Sequence, residues 1–367
     1  PGLLLAGFVI LGLLGYTFVM ERLLLVNRVS FAKPVEVLTD RAQEVLSLAG
    51  HTTPPVDTAR GVAVNNEYLR WLARTRSPET RWTGLNDGTG PILDFWYRTS
   101  PQPLSPLSNA WSPTLFDPPL GTFDMTRVTL DDRGRLLEYA WVPPQFDTQA
   151  LEGTADWAPL FAAAGLDIAR FRTTTPQWAP LVYAEERHAW EGPSGSAPDV
   201  QVRVEAASYG ARPAAFKVIG PWTEPSRMGE TSPNVSQRAV ALVGTLLLIL
   251  LLGGAGLLVR ANLRRGRADL RGASRVALFL LAVWTVGWIL GARHSFELTR
   301  EVDRFFSALA FGLLNIGLTW LFYLALEPYV RRLSPDLLIG WARLLDGQLR
   351  DPRVGRDILI GIATGML

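Results

Sequence analysis

Ala239 to Val259, AVALVGTLLLILLLGGAGLLV, is twenty-one residues without a charge. As a helix rising ~1.5 Å per residue it matches the ~30 Å hydrocarbon core of a bilayer, where a helix satisfies its own backbone. Three further apolar runs share this character: Gly2 to Met20, nineteen residues without charge, then Val276 to Ala292 and Phe305 to Leu326. They stand at the two ends of the chain and leave residues 27–237, rich in Pro, Trp and charge, between the first and the second. A single soluble fold does not divide its composition this way. The expected class is a multi-pass α-helical membrane protein with an extracytoplasmic α+β domain. Residues 1–26 are expected to hold membrane helix 1, 27–237 the outer domain and 238–330 membrane helices 2 to 4. Residues 331–356 form an Arg-rich connector, and 357–367 the start of a truncated fifth helix.

The formal net charge of +2 hides the same division. Residues 27–237 carry nineteen Lys+Arg against twenty-four Asp+Glu, a balance of −5, and the remainder carries seventeen against ten, a balance of +7. A weakly acidic middle domain has no electrostatic footprint for nucleic acid, so the sequence pI near 9.1 reports arginines beside the membrane. Arg260 to Arg275 holds six Arg and one Asp. The stretch Leu324 to Gly361 passes six Arg (331, 332, 343, 350, 353 and 356), against Asp336, Asp346 and Asp351 between the first and last of them. Such excess in short loops marks the cytoplasmic side. Arg260, Arg264, Arg265, Arg267, Arg331 and Arg332 therefore set an expected topology: N-terminus in, residues 27–237 outside a bacterial inner membrane, then loops in, out and in. A signal peptide would need a charged n-region and a small-residue cleavage site, neither of which is visible, so the first helix is expected to be retained. The chain starts at Pro1 without Met and ends within an apolar run, and reads as a piece of a longer protein.

Within the outer domain, Pro34 opens an amphipathic helix with Leu38, Ala42, Val45, Leu46 and Ala49 near one face and Gly50 past its end. A second helix is expected over Glu67 to Arg74 with Asn66 as N-cap. Strands are expected over Ile92 to Thr99, and over Thr126 to Leu130 with Arg135 to Val142 across the turn Asp131 to Gly134. Ser100 to Pro119 is a Pro-rich surface crossing. The order then repeats: a short helix over Asp156 to Ala164 closed by Gly165, followed by strands over Leu181 to Arg187, Val200 to Ser208 and Ala214 to Ile219. This suggests two duplicated helix-plus-antiparallel-sheet units, residues 30–145 and 150–225. Beyond the spans, Leu337, Leu338, Trp341, Leu344 and Leu345 share a helical face, which suits a helix lying on the inner membrane surface.

The sequence offers little chemistry. There is no Cys, hence no disulfide or thiolate metal site. His51, His188 and His294 stand apart without a metal-ligand spacing, and exposed or hydrogen-bonded roles are expected for them. No phosphate-binding glycine loop or nucleophile elbow occurs. Asp131-Asp132 beside Gly134 reads as turn chemistry, and Glu185-Glu186 as a solvated strand edge. Nine Trp lie in the outer domain, and core packing is their default role. The other reading is an aromatic cleft between the two repeats, with Trp96, Arg98, Arg172, Arg187 and Trp190 as candidates for holding an acidic ligand. Within the spans only Asn315 is notably polar, with hydrogen bonding between helices as its expected role.

Leu324-Ala325-Leu326-Glu327-Pro328-Tyr329-Val330-Arg331-Arg332, then Trp341 with Arg343-Leu344-Leu345, then Asp351-Pro352-Arg353-Val354-Gly355-Arg356-Asp357, resembles the region after the kinase domain in a group of bacterial membrane serine/threonine protein kinases. Phe95-Trp96-Tyr97-Arg98 and Val218-Ile219-Gly220-Pro221-Trp222-Thr223 are similar to that group as well. The resemblance implies a membrane-anchoring and extracytoplasmic sensing region, with an amino-terminal cytoplasmic kinase domain ahead of Pro1. No HRD, DFG or Gly-rich kinase motif is present, so no catalytic residue is carried over, and ATP and Mg would belong to the kinase domain. The expected partners are the lipid bilayer and an extracytoplasmic ligand or protein, with a homodimer compatible. A permease-like or mechanotransmission subunit working with a separate ATPase is the alternative, since it uses a similar layout of spans.

Overall fold

A computed structural model describes residues 2–23, 32–77, 90–108, 111–146, 153–195, 199–225, 227–228, 235–294, 298–348 and 350–365. Two compact units emerge, one of residues 23–226 and one of residues 1–22 with 227–367.

The first unit is one eight-stranded antiparallel sheet. Its elements are α2 (Val35–Leu48), following the N-terminal helix α1 (Gly2–Leu23), then β1 (Asp57–Val64), α3 (Asn66–Thr75), β2 (Leu93–Ser100), β3 (Thr126–Leu130), β4 (Leu136–Trp141), α4 (Ala158–Ala163), β5 (Arg172–Thr174), β6 (Glu186–Pro193), β7 (Gln201–Tyr209) and β8 (Arg212–Ile219). Strand order is β1-β2-β3-β4-β8-β7-β6-β5. Each half is a four-stranded meander, and the two fourth strands pair through Glu138↔Lys217, Tyr139↔Phe216 and Ala140↔Ala215. The halves are therefore not two separate units divided by the expected cleft. Where it would open, backbone hydrogen bonds make the sheet continuous.

One face of this sheet is the core. The cross-strand row Tyr97, Val128, Tyr139, Phe216 and Ala206 is buried under α2 and α4, with Phe161 of α4 edge-on to Phe216 at 5.5 Å between centroids. α2 buries Leu38, Ala42, Val45 and Leu46, the 3.6-period stripe of the sequence, and ends at Gly50 with φ +87°, a left-handed C′ position that glycine adopts without Cβ strain. The opposite face carries charge: the next row is Trp96, Thr129, Glu138, Lys217 and Glu205.

Several expectations move by a few residues. The cap of α3 is Asn65, whose side chain accepts from the Tyr68 amide at 3.0 Å, so the helix starts one residue earlier than Asn66 as cap allowed. β6 starts at Glu186, not Leu181, because the preceding segment buries Val182 from an irregular path and joins the ladder only where the Glu185 amide reaches Ser208 O at 2.9 Å. Strands β1 and β5, at the two sheet edges, had no counterpart in the sequence reading.

The second unit is helical. Three described helices are long and apolar enough to cross a membrane: α5 (Val235–Arg264), α6 (Leu270–Gly291) and the part Glu301–Leu333 of α7 (Leu298–Leu333). α1 is helical over Gly2–Leu23. α8 (Pro335–Leu345) and α9 (Pro352–Gly365) follow. The fourth apolar helix does not stop where its apolar run ends at Leu326 but continues through Pro328 to Leu333. Pro328 has no N–H for the carbonyl four residues back, and that carbonyl, Leu324 O, receives the Asn262 Nδ2 of α5 at 2.9 Å instead. The same amide reaches Ala325 O at 3.1 Å. Arg331 lies 3.8 Å from Asp269, and Arg275 lies 2.6 Å from Asp346. The α5–α6 connection and the end of α7, which carry Arg265, Arg267, Arg331 and Arg332, thus lie at one end of the bundle.

Candidate functional site

The charged face of the sheet carries a cavity of about 390 Å³. The sheet supplies its floor, α3 one wall, Leu115 and Phe116 of the Pro-rich crossing another, and Trp222 stands beside α3. Alternation in β2, β3, β4 and β8 puts Asp94, Arg127, Thr129, Glu138 and Lys217 on this face. Glu138 is shared by two cations: its Oε1 meets Arg127 Nη2 at 2.5 Å and its Oε2 meets Lys217 Nζ at 3.3 Å. Burial raises the Glu138 pKa, but the two cations outweigh it and hold the carboxyl below its ordinary value. Phe116 lies over the Arg127 guanidinium at 5.1 Å.

Asp94 has the opposite environment. Its described hydrogen bonds come from Asn65 Nδ2, at 3.2 and 3.4 Å, and no cation pairs with it among the described residues. Burial, with Asp131, Glu138 and Glu67 adding their negative charge, pushes its pKa up to about 7. A carboxyl perturbed this far, in a cavity, marks a functional candidate. The same shift makes a stability prediction. Because the native state holds the proton more tightly than the unfolded chain, the contribution of Asp94 to stability declines as pH rises from about 4 to about 7, then stays flat. Asp94→Asn removes that slope. It is expected to leave stability unchanged near pH 4 and raise it at pH 8 by up to about 4 kcal/mol, read from denaturant melts at the two pH values. A variant less stable than the parent at pH 8 would show that Asp94 is held as a carboxylate.

The residues singled out in the sequence do not assemble. Trp96 and Arg98 share the charged face of β2, both buried. The Trp96 ring lies over Gly61 of β1, where an added Cβ would sit 2.5 Å from the indole. Arg98 donates to Thr114 O at 2.7 Å and to Pro118 O, so it pins the Pro-rich crossing to the sheet. Burial, and Arg127 opposite it in register, lower its pKa to about 10. Arg187 stands on the same face but on β6, five strand intervals or roughly 24 Å from β2. Arg172 is exposed on the edge strand β5, and Trp190 packs on the opposite face with Phe161. Buried Trp96, Trp141, Trp157 and Trp190 act as core.

Two polar centres lie outside those ligand candidates. One is His51, where Nδ1 accepts from Arg212 Nη2 at 2.8 Å and Nε2 meets Tyr139 Oη at 2.7 Å. The ring is therefore neutral with its proton on Nε2, and Tyr139 Oη in turn donates a hydrogen bond to Pro213 O at 3.3 Å. Asp124, with φ 63°, lies 3.6 Å from the same Nδ1 and accepts from Trp141 Nε1 at 2.9 Å. His51 and Asp124 border a second cavity of about 440 Å³ beside the end of α2. The other centre is Asn262, buried between α5 and α7; Asn315, the polar residue picked out in the sequence, turns back to Phe311 O of its own helix at 2.8 Å. Among the described residues, no group of three or more His, Asp or Glu is placed to hold a metal.

No protein-family model, curated protein or solved structure matches this chain.

Proposed function

We propose that this chain is the membrane-anchoring and extracytoplasmic sensing region of a bacterial serine/threonine protein kinase in the inner membrane. The sheet unit captures a stimulus outside, and the apolar helices on either side of it in sequence pass the change to a cytoplasmic kinase domain. The observation that carries this reading is the cavity on the charged face, with Asp94, Arg127, Glu138 and Lys217 at its surface. Fully satisfied structural charge needs no such opening, whereas a small-molecule site is concave and lined by a few convergent polar groups. A ligand signals only if it binds one arrangement of the domain better than another, because differential affinity is what shifts an equilibrium. The kinase link, the multi-pass topology and the outward side rest on the resemblance around Leu324 to Asp357 and on the arginine bias. The same reading takes the two helix-then-four-strand orders as copies of one unit, with α3 as an insertion in the first.

The test is stimulus-dependent autophosphorylation of the kinase-bearing protein in membranes, with and without residues 30–235. The deletion is expected to abolish the dependence and spare basal phosphorylation. Unaltered dependence, or a separate ATPase co-purifying in place of a fused kinase, would overturn the reading and favour the permease-like layout.

A further inference from the structure

The cavity on the charged face is lined by Glu67, by Arg70 paired with Glu224, and by Arg135 paired with Asp131; beyond these it holds two unmatched charges of opposite sign, and their placement describes what would fill it. At one end, a single carboxylate serves two cations, since both oxygens of Glu138 are taken, one by Arg127 and one by Lys217. Arg98 stands directly opposite Arg127 in register and donates through Nη1 and Nη2 to carbonyls, so it adds positive charge without a bonded acid. Lys217 is still about one-third exposed, leaving ammonium donors turned to the opening. At the other end, Asp94 has an amide for a partner and no cation among the described residues. Asp94 on β2 and Lys217 on β8 are separated by three strand intervals and two residues along the strand, roughly 16 Å between backbones before either side chain reaches inward. Phe116 and Trp222 add apolar surface. Unpaired charges at a partly dry surface are costly, and a ligand that neutralises both recovers that cost.

We propose that this cavity binds a small amino-carboxylic acid as its zwitterion, the ammonium group on Asp94 and the carboxylate on Lys217 and Arg127. The inference rests on the reading of the cavity as the sensor's ligand site and narrows it to a ligand class. Neither a plain carboxylate nor a plain amine meets both ends. An apolar or polar side chain of the ligand lies along Phe116 and Trp222. The mode of binding has a proton signature. Asp94 must be ionised to hold an ammonium, and burial together with neighbouring acids leaves it partly protonated near neutrality, so binding expels a proton there. Affinity accordingly weakens as pH falls from 8 to 6, where the proton competes with the ammonium group.

Calorimetry on the whole chain in lipid nanodiscs tests this with L-alanine, L-leucine, L-glutamate, propionate and ethylamine as probes. At least one amino acid is expected to bind saturably, with a heat that varies with the ionisation enthalpy of the buffer at pH 7. Propionate and ethylamine are expected to bind on the order of tenfold more weakly or worse. Asp94→Asn, which is expected to fold at least as stably as the parent, should remove the buffer dependence and weaken the amino acid. Lys217→Gln should weaken the amino acid without changing the buffer dependence. If propionate matches the amino acids and Asp94→Asn changes neither, the zwitterion assignment falls and the cavity remains a ligand site for carboxylates. An ethylamine match insensitive to Lys217→Gln overturns the assignment in the same way for amines. If none of the five probes binds the folded chain, the assignment falls. The autophosphorylation experiment then judges the sensor reading by itself.

Discussion

Arg212→Ala is expected to destabilise the sheet unit by about 3 kcal/mol. Arg212 stands at the start of β8, yet its guanidinium serves the other half of the unit: Nε donates to Ala49 O at 3.2 Å, and Nη2 to Gly50 O at 2.9 Å and to His51 Nδ1 at 2.8 Å. It also lies over the Trp141 ring at 4.2 Å. Truncation removes the cation–π contact and leaves acceptors at the end of α2 without their donor. Arg212→Lys restores one donor but not the fork, and should recover less than half of the loss. The variant also changes pH dependence. Burial lowers the His51 pKa, Asp124 works against that, and the Arg212 cation adds to the lowering. The unfolded chain therefore takes up a proton at His51 before the native state does, so stability present above about pH 6.5 is lost as pH falls through that value and levels off below the native pKa. Without Arg212 the native pKa rises toward the unfolded one and this slope flattens. Melts between pH 5 and pH 8, followed by near-ultraviolet circular dichroism, read both effects. An Arg212→Ala variant as stable as the parent would mean that the end of α2 is held by core packing alone.

The second large effect is expected between helices. Asn262→Ala should cost about 1–2 kcal/mol in the helical unit, because it leaves Leu324 O, already deprived of an amide by Pro328, without any donor in an apolar surround. Pro328→Ala supplies the missing N–H from within α7. In that background Asn262→Ala should cost much less, so the double-mutant cycle carries a coupling free energy close to the single loss. Additive single effects, measured by unfolding in mixed micelles, would show that Asn262 and Pro328 act independently. Close packing supports the same contact: Ala255, Val259, Ala273, Leu324 and Ala325 are all buried around it.

How far the sequence anticipates this structure depends on whether the signal is local. Helix α2 was legible because its apolar stripe and Gly50 are contiguous, and the Asp131 to Gly134 turn because Asp131 closes it on its own neighbours, accepting from the Arg133 and Arg135 amides at 3.0 and 2.8 Å. β1 was not, since DTARGVAV places Arg60 and Gly61 where a strand pattern wants apolar residues; the strand exists because β2 offers a ladder and Trp96 covers Gly61. The helix past Pro328 was missed for a related reason. Proline reads as a stop, and the amide that overrules it lies 62 residues away from the carbonyl it serves. For the site, the residue types were visible and their grouping was not. Asp94 stands in a strand beside aromatic residues, and nothing near it in sequence announces that Asn65, Asp131 and Glu138 will surround it. Arg98, Arg172 and Arg187 were equally plausible as a trio until the strand order dispersed them.

The three-pair joint between β4 and β8 also bears on how this sheet comes into being. Within each meander, neighbouring strands are neighbours in the chain, so six of the seven strand pairings close without crossing from one half to the other. Glu138↔Lys217, by contrast, brings together positions 79 residues apart. The entropy of closing that span is recovered only when both partners already present formed edges, since separation raises the cost of a contact before any of its energy is gained. Nucleation is thus local and twofold, and the central ladder is a late, high-contact-order step. Two half-sheets with open fourth strands are expected to precede the native domain, and each of those strands would be, until they meet, a template for the same strand of another molecule.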